Sequence, residues 1–196
     1  MWAQSYERNL GHVLALQSEL ARAVSASLRL MLSPDAAEAR PVDPEAYEEY
    51  LLGLHLAESR GAWVSAQQHY EASIAADSTY APAWTALAHA TIMPTHGWPF
   101  DYQDVRDARR YAEKGIALDP GHAEGYFVLA HILWEHDWEP NRALELLERG
   151  LELNPSDGLG WMTYSECLAV LGRLDEATEA LLQAIEVDSF NWLVNV

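Results

Sequence analysis

Small residues recur along the chain at fixed spacings. In the segment 108–120, Ala108, Ala112, Gly115, Asp119 and Pro120 stand at offsets 0, 4, 7, 11 and 12. The first four offsets fall on one face of a helix, and small side chains on such a face let a second helix approach closely. Pro120 cannot continue the helical hydrogen bonds and disfavours a helical conformation in the residue before it. The segment is therefore predicted to be a closely packed helix that ends at Asp119.

The same skeleton recurs three more times, at intervals of 42, 35 and 34 residues. Its copies are Ala66, Tyr70, Ser73, Asp77 and Ser78; Ala143, Leu147, Gly150, Asn154 and Pro155; and Ala177, Leu181, Ala184, Asp188 and Ser189. Seven residues after the Asp or Asn stands an aromatic, and eleven residues after it a small residue: Trp84 and Ala88, Tyr126 and Ala130, Trp161 and Ser165. A period of this length is typical of stacked helical pairs, with a helix A followed by a helix B.

From about Asp43 onward this pattern resembles that of the tetratricopeptide repeat. The resemblance implies an all-α fold, a right-handed superhelical solenoid of antiparallel helix pairs. We expect an array over 45–196, with about four repeats at 45–78, 79–120, 121–155 and 156–189 and the truncated start of a further repeat. The helices are predicted at about 44–59, 62–76, 82–92, 102–118, 123–135, 140–153, 159–171 and 174–187. An inserted loop at 93–101, with two prolines and a glycine, accounts for the 42-residue interval.

Residues 1–35 do not follow the repeat. An apolar stripe from Leu10 to Leu32 predicts one extra helix before the array, after a short strand at 2–8. Trp2, the run YER at 6–8 and the run LALQSE at 14–19 resemble the end of the TolB-like domain. That domain precedes tetratricopeptide arrays in bacterial nucleotide cyclases and winged-helix regulators. We therefore interpret 1–35 as the remnant of a preceding domain and 36–44, with its two prolines, as a linker.

Charge and composition exclude several classes of function. The formal net charge is −18, which repels phosphate backbones, so no nucleic-acid partner is expected. No run approaches the ~18 apolar residues of a membrane span, and the first residues are too polar for a secretory signal. We expect a cytoplasmic location and no membrane contact by this segment. Cys167 is the single cysteine, so it cannot form an internal disulfide, and its helical setting predicts a small buried residue.

The A helices of the tetratricopeptide fold line a concave groove. The resemblance assigns ten residues to this partner-binding groove: Tyr47, Tyr50, Leu54, Thr85, His89, Phe127, His131, Trp134, Met162 and Glu166. Three residues of the inserted loop add to the candidate surface: His96, Trp98 and Phe100. None of these is Lys, Arg or Asn, the types with which some members hold the carboxylate end of a chaperone peptide. An extended or helical apolar segment is the expected partner. Alternatively, these aromatics pack between repeats or are covered by other parts of the same chain.

Metal binding and catalysis have weaker signals. His89, His131, His96 and the pair His136-Asp137 could supply zinc ligands. However, no two of the histidines have the i, i+4 spacing of a helical metal site, so we predict neither a metal nor a cofactor. The chain has no P-loop, G-x-S-x-G or H-E-x-x-H motif, and we predict no catalytic residues and no enzyme. Any catalytic domain of a longer protein would lie outside this segment.

Two functional hypotheses follow. In the first, the chain is a non-catalytic protein-interaction scaffold of a longer bacterial signalling or regulatory protein, and its groove binds a peptide, a partner protein or another domain of the same chain. In the second, it is a small-molecule-sensing module of a nucleotide cyclase or transcription regulator, in which His89, His131 and Trp134 enclose the ligand. The oligomeric state is open under both.

Overall fold

The computed structural model describes residues 42–57, 62–93 and 101–187. Eight α-helices make up the regular structure of these ranges: α1 Pro44–Ala57, α2 Trp63–Ala76, α3 Ala81–Ile92, α4 Tyr102–Leu118, α5 Ala123–Glu135, α6 Pro140–Leu153, α7 Gly158–Val170 and α8 Leu174–Val187. The predicted end of the first helix at 59 lies outside the described residues, every other predicted helix boundary lies within one residue of the observed one, and the all-α prediction is confirmed. The expected strand at 2–8, the extra helix at 10–32 and most of the inserted loop lie outside the described residues.

The helices pack as four pairs that form a solenoid. Each odd-numbered helix (A) packs most extensively on the even-numbered helix (B) that follows it, and each pair then packs on the next. Neighbouring A helices also touch one another, through α1–α3, α3–α5 and α5–α7, and they do so more than the B helices do. The A helices therefore lie on the inner, concave side of the array.

Small residues of the B helices are buried, and several of them face helix A of the same pair. The first skeleton position is 0 % exposed in three repeats and 6 % exposed in the fourth: Ala66, Ala108, Ala143 and Ala177. The third skeleton position is also buried throughout: Ser73, Gly115, Gly150 and Ala184. Leu181 departs from the pattern, since it is 40 % exposed whereas its counterparts Tyr70 and Leu147 are buried. In the part of the chain that the structure describes, no helix follows α8 to cover it.

The turns from each B helix to the next A helix are alike. They span 77–80, 119–122 and 154–157, and they begin with Asp77, Asp119 and Asn154. The side-chain oxygen of this first residue accepts a hydrogen bond from the backbone N–H two residues later, at 3.0, 2.9 and 3.3 Å respectively. Its backbone carbonyl accepts another from the N–H three residues later. Asp and Asn are favoured here because their short side chains hold such a turn.

The aromatic seven residues after the Asp or Asn fastens the same turn. Trp84 Nε1 donates to the Ser78 carbonyl at 2.9 Å, and Trp161 Nε1 donates to the Pro155 carbonyl at 2.9 Å. In the repeat between them, the Tyr126 hydroxyl donates to the Pro120 carbonyl at 3.0 Å. We call this hydrogen bond the turn clamp. It explains why the position carries Trp or Tyr, since both combine a large ring with a polar hydrogen.

The segments between an A helix and the B helix that follows it differ in length: they are 58–62, 93–101, 136–139 and 171–173, and the structure describes only the last two in full. Two of them contain a residue in the left-handed region, Trp138 with φ 56° and Gly172 with φ +78°. Glycine adopts this conformation without steric cost, whereas a side chain makes it unfavourable. The longest described helix, α4, has 17 residues, and no helix in the described ranges is both long and apolar enough to cross a bilayer.

Candidate functional site

A cavity of about 320 Å³ opens on the A-helix side, between α1, α3 and the start of α5. Its apolar wall consists of Tyr50, Leu54, Ala57, Trp63, Tyr70, Pro82, Ala86 and Ala90. Four polar residues complete the lining: Thr85, His89, His122 and Glu124. The structure thus brings together four of the ten groove residues that the sequence predicted: Tyr50, Leu54, Thr85 and His89.

Aromatic rings form one side of the cavity. The Tyr50 ring lies 6.1 Å from that of Tyr70 and 5.4 Å from that of Tyr80, measured between centroids. The Trp63 ring meets His89 edge-on at 5.9 Å. Tyr70 is 2 % exposed and has space only because residue 53 is glycine, since a Cβ there would stand 2.4 Å from the Tyr70 Cε1.

The Tyr50 hydroxyl remains uncharged. Burial raises its pKa to about 12, and the nearby Glu124 carboxylate and Tyr47 act in the same direction. Both effects disfavour the phenolate, because burial removes water from the charge and the carboxylate repels it. Tyr50 therefore presents a neutral ring and a hydroxyl that can donate or accept a hydrogen bond.

The polar side of the cavity centres on Glu124 in the first turn of α5. Its Oε1 lies 3.7 Å from His89 Nδ1. Burial raises the pKa of the Glu124 carboxyl, the Asp157 carboxylate raises it further, and His122 opposes both. His122 Nε2 in turn lies 3.1 Å from the Thr85 hydroxyl oxygen, and that hydroxyl donates to the Pro82 carbonyl. Because the Thr85 proton is engaged with Pro82, we assign the donor role in the other contact to His122.

A second group of acidic and aromatic residues lies where α5 and α7 meet. Burial raises the pKa of Glu166, the Glu135 carboxylate raises it further, and the neighbouring Trp134 indole N–H lowers it. His131 Nε2 lies 3.5 Å from Glu135 Oε2. Trp134 also packs against the buried core formed by α5 to α8, so it both supports the fold and borders the groove.

Two predicted groove residues pack against a glycine on helix B of their own repeat. The Thr85 side chain is 1 % exposed, and its methyl carbon is 2.4 Å from the place of a Cβ on Gly115. Phe127 is half-buried against Gly150 and Gly160, where added Cβ atoms would stand 2.4 and 2.8 Å from its Cε1. Tyr47 and Met162 are half-buried on their A helices. The loop residues 96, 98 and 100 lie outside the described residues.

Eight of the twelve lining residues were missing from the groove that the sequence predicted, and Trp63, Tyr70, His122 and Glu124 are the largest or most polar of them. Trp63 and Tyr70 belong to helix B, which the resemblance does not assign to the groove. His122 and Glu124 belong to the next repeat, in the turn and first helical turn before its Phe127. For Glu124 the sequence does offer one signal. Pro82 and Glu124 are 42 residues apart, which is the interval between the first two skeletons, so the two residues occupy equivalent positions in successive repeats.

The described residues gather no set of metal ligands and no activated thiol. None of their clusters combines three or more His, Cys, Asp or Glu side chains in a way that could hold a metal ion. Cys167 is 0 % exposed, and burial, with a smaller contribution from Glu166, raises the pKa of its thiol to about 12. A thiol in this state is neither a nucleophile nor a ready metal ligand.

Comparisons with known proteins identify the repeats. The tetratricopeptide-repeat family model matches residues 139–190. The chain is also similar to the protein named "Putative adenylate cyclase 3" of Rhizobium meliloti (strain 1021), with 26 % identity over 193 residues. That match covers 92 % of this chain and 26 % of the relative, so the chain spans about a quarter of the relative's length.

Solved structures with the same fold are TPR proteins of low sequence identity. The thermophilic TPR protein TTC0263 of Thermus thermophilus superposes with a TM-score of 0.61 at 19 % identity, covering 74 % of this chain and 75 % of its own. The pilF protein of Pseudomonas aeruginosa reaches 0.64 at 17 % identity, covering 79 % and 66 %. YrrB, described as a TPR protein with an unusual peptide-binding site, reaches 0.53 at 22 % identity, covering 80 % and 74 %. The chain therefore shares the fold of these proteins, and its residues 139–190 match the tetratricopeptide repeat.

Proposed function

We propose that the concave side of the array binds an extended or helical segment of a partner protein, or of another domain of the same polypeptide. The observation that carries this proposal is the cavity between α1, α3 and α5, with Tyr50 and Trp63 on its apolar wall. A concave surface with a mainly apolar lining and a few convergent polar groups is the usual form of a binding site. The array would then act as a non-catalytic interaction module.

The similarity to an adenylate cyclase suggests the context of this module. The chain corresponds to about a quarter of that relative, so an effector domain elsewhere in a longer polypeptide is part of the proposal. In this view the repeats at 45–78, 79–120, 121–155 and 156–189 convey the binding of a cytoplasmic partner to a bacterial signalling or regulatory domain. The peptide-binding site in the name of YrrB supports a peptide partner by analogy of fold.

The lining of the cavity argues against the small-molecule hypothesis. Of the three residues expected to enclose a ligand, His89 lines the cavity, whereas His131 and Trp134 belong to the group of residues near Glu166. The three side chains therefore do not form one enclosure around a metabolite. A long groove that engages several repeats agrees better with this distribution of aromatic and acidic residues.

Selection from a displayed library of random peptides tests the proposal. Selected peptides should bind the wild-type chain and lose about tenfold or more in affinity to Tyr50→Ala and Leu54→Asp, because each substitution alters the apolar wall. Val64→Ala on α2 and Leu182→Ala on α8 serve as controls, since these side chains are 65 % and 58 % exposed on B helices. Circular dichroism would establish that all four variants remain helical. Peptides that bind the groove variants as tightly as the wild type would contradict the proposal.

A further inference from the structure

The A helices and the B helices carry different charges. The four A helices contain six glutamates and neither lysine nor arginine: Glu45, Glu48, Glu49, Glu124, Glu135 and Glu166. All lysine and arginine residues in the described ranges lie on B helices or in a turn: Arg106, Arg109, Arg110, Lys114, Arg142, Arg149 and Arg173. Three of the four A helices on the concave side therefore carry a negative formal charge at neutral pH, and α3 carries none.

Several of these arginines are held by carboxylates away from the cavity. Arg109 pairs with Asp137 at 2.6 Å, Arg110 with Asp107 at 3.0 Å and Arg149 with Glu152 at 2.9 Å. Neither partner in any of these pairs belongs to the cavity lining. The Glu124 carboxylate therefore receives no compensating arginine or lysine from the described part of the chain.

The shape and chemistry of the cavity suit one long side chain with a positive end. Its volume of about 320 Å³ is at the lower limit of the roughly 300–1,000 Å³ that ligand pockets span. Leu54, Pro82 and Ala86 offer apolar surface along which an aliphatic stem can lie while its charged end reaches a polar group. Tyr50 and Trp63 provide rings that attract a cation.

Glu124 supplies the matching acceptor. The 3.7 Å between its Oε1 and His89 Nδ1 is longer than a hydrogen bond, and a carboxylate offers several acceptor positions. A guanidinium or ammonium group could therefore donate a charge-assisted hydrogen bond to Glu124, which is stronger than a bond between neutral groups. An acidic side chain or a peptide carboxylate would instead be repelled there.

We propose that this cavity receives an arginine or lysine side chain of the bound partner segment, with Glu124 meeting the charged group and Tyr50 and Trp63 flanking the stem. The assignment rests on the proposed peptide-binding function and specifies the partner's chemistry. The expected partner is therefore a basic segment, whose positive charge complements the formal net charge of −18 on this chain. Oppositely charged surfaces also accelerate association and disfavour acidic competitors.

A small cation tests the cavity without any peptide. In ¹⁵N–¹H NMR spectra of the whole chain, n-butylguanidinium should shift the Trp63 indole N–H in a saturable manner, with a Kd on the order of millimolar. Glu124→Gln should weaken this binding by about tenfold, which corresponds to loss of one charge-assisted contact. Glu71→Gln is the matched control, because it removes an exposed carboxylate of helix B outside the cavity, and n-butanol is the uncharged control. A Trp63 shift that does not saturate, or that is equal in Glu124→Gln, would overturn the assignment.

The peptides selected by display distinguish failure of this inference from failure of the proposed function. In a peptide that binds the groove, replacing one arginine or lysine with glutamine should raise the Kd for the wild-type chain about tenfold. The same replacement should raise the Kd for Glu124→Gln by less than about twofold. Peptides that bind the groove with no such residue would refute the cation site and leave the binding function standing. Failure to select any peptide, together with saturable butylguanidinium binding that depends on Glu124, would refute groove binding and support the cation site.

Discussion

The Phe127 ring occupies the space that a side chain on Gly150 would need, since a Cβ at Gly150 would stand 2.4 Å from the Phe127 Cε1. Thr85 and Gly115 have the same relationship one repeat earlier, where the corresponding distance to the Thr85 methyl carbon is also 2.4 Å. The residue on helix A and the glycine on helix B are thus a matched pair in both repeats. A large ring is accommodated in one repeat and a small hydroxyl side chain in the other.

This pairing predicts that Gly150→Ala is destabilising. Overpacking costs about 1–3 kcal/mol, whereas replacing a helical glycine by alanine returns about 0.5–1 kcal/mol, so a net loss of about 1–2 kcal/mol in the free energy of unfolding is expected. Urea denaturation would measure it. The double variant Gly150→Ala/Phe127→Leu should recover most of the loss, because leucine lacks the ring atoms nearest the new methyl group. Equal stability of Gly150→Ala and the wild type would show that the ring moves aside freely.

The turn clamp predicts a cost for Tyr126→Phe. This change keeps the ring and removes the hydroxyl that donates to the Pro120 carbonyl, so about 0.5–1.5 kcal/mol of stability should be lost. Thermal unfolding would report a decrease of a few degrees, at about 2–4 °C per kcal/mol for a chain of this size. Hydrogen exchange adds a local measurement, since amides of the turn at 119–122 should exchange faster while those of α8 keep their rates. Uniform acceleration across the array would argue against a local clamp.

Gly172 predicts a backbone effect that is separate from packing. Its φ of +78° is unfavourable for a side chain, although nothing lies within 4 Å of the place of a Cβ. Gly172→Ala should therefore lose about 1–2 kcal/mol, and Gly172→Asn should lose less because asparagine tolerates this conformation better. Urea denaturation of the two variants would test the order. If both cost the same, side-chain volume rather than backbone conformation would be the cause.

The raised pKa of Glu124 predicts a stability that depends on pH. A carboxyl whose pKa is higher in the folded state than in the unfolded state binds its proton more tightly when folded, so its ionisation above that pKa destabilises the protein. Glu124→Gln should therefore raise the unfolding temperature near pH 7. Because the Glu124 side chain is 39 % exposed, solvent screens the effect, and we expect less than about 1 kcal/mol.

The advantage of Glu124→Gln should shrink as the pH falls through the raised pKa towards the ordinary value of 4.5, since Glu124 itself then becomes neutral. Other ionisable side chains, those of His89, His122 and Asp157, act on Glu124, so the comparison is made between variant and wild type at each pH. Glu71→Gln is the control, because that glutamate is exposed on helix B. A larger advantage at pH 5 than at pH 7 would contradict the sign of this prediction.

The effect of Trp134 on the pKa of Glu166 separates the packing role of Trp134 from its polar role. Trp134→Phe keeps most of the ring in the core but removes the indole N–H, so the pKa of Glu166 should rise further. NMR titration of the Glu166 side-chain carboxyl carbon would measure the change. Trp134→Ala should in addition destabilise the array by about 3–5 kcal/mol, as expected for truncation of a core aromatic. An unchanged Glu166 pKa in Trp134→Phe would show that the indole N–H does not act on the Glu166 carboxylate.

The helix boundaries could be predicted closely because an Asp or Asn follows the helix B of successive repeats. The offsets of the skeleton place its small residues on one face, and Asp77, Asp119 and Asn154 then begin turns of equal length. The turn clamp could not be predicted in this way, because the spacing identifies the aromatic but not the carbonyl that it contacts. Tyr70 is instructive, since it occupies a skeleton position where Ala112 stands in the next repeat. Its size is compensated by Gly53, 17 residues away on another helix.

Of the candidate site, only the residues at equivalent positions on successive A helices could be predicted. Tyr50 and Thr85 occupy equivalent places on successive A helices, so the resemblance placed both on the concave side. Trp63 and Glu124 enter the same cavity from helix B of one repeat and from the first turn of another. Their meeting depends on how three repeats pack in space, and no spacing along the chain expresses that.

The contrast between the two kinds of turn has a practical consequence for engineering. Wherever a B helix leads into the next A helix, the same four-residue connection recurs with its hydrogen bonds intact, whereas the opposite connections have four different lengths. Sequence can therefore be added at one edge of the solenoid only. A fluorescent reporter or an affinity tag grafted between Asp137 and Glu139 should leave neighbouring repeats in register, whereas the same graft after Asn154 would separate them.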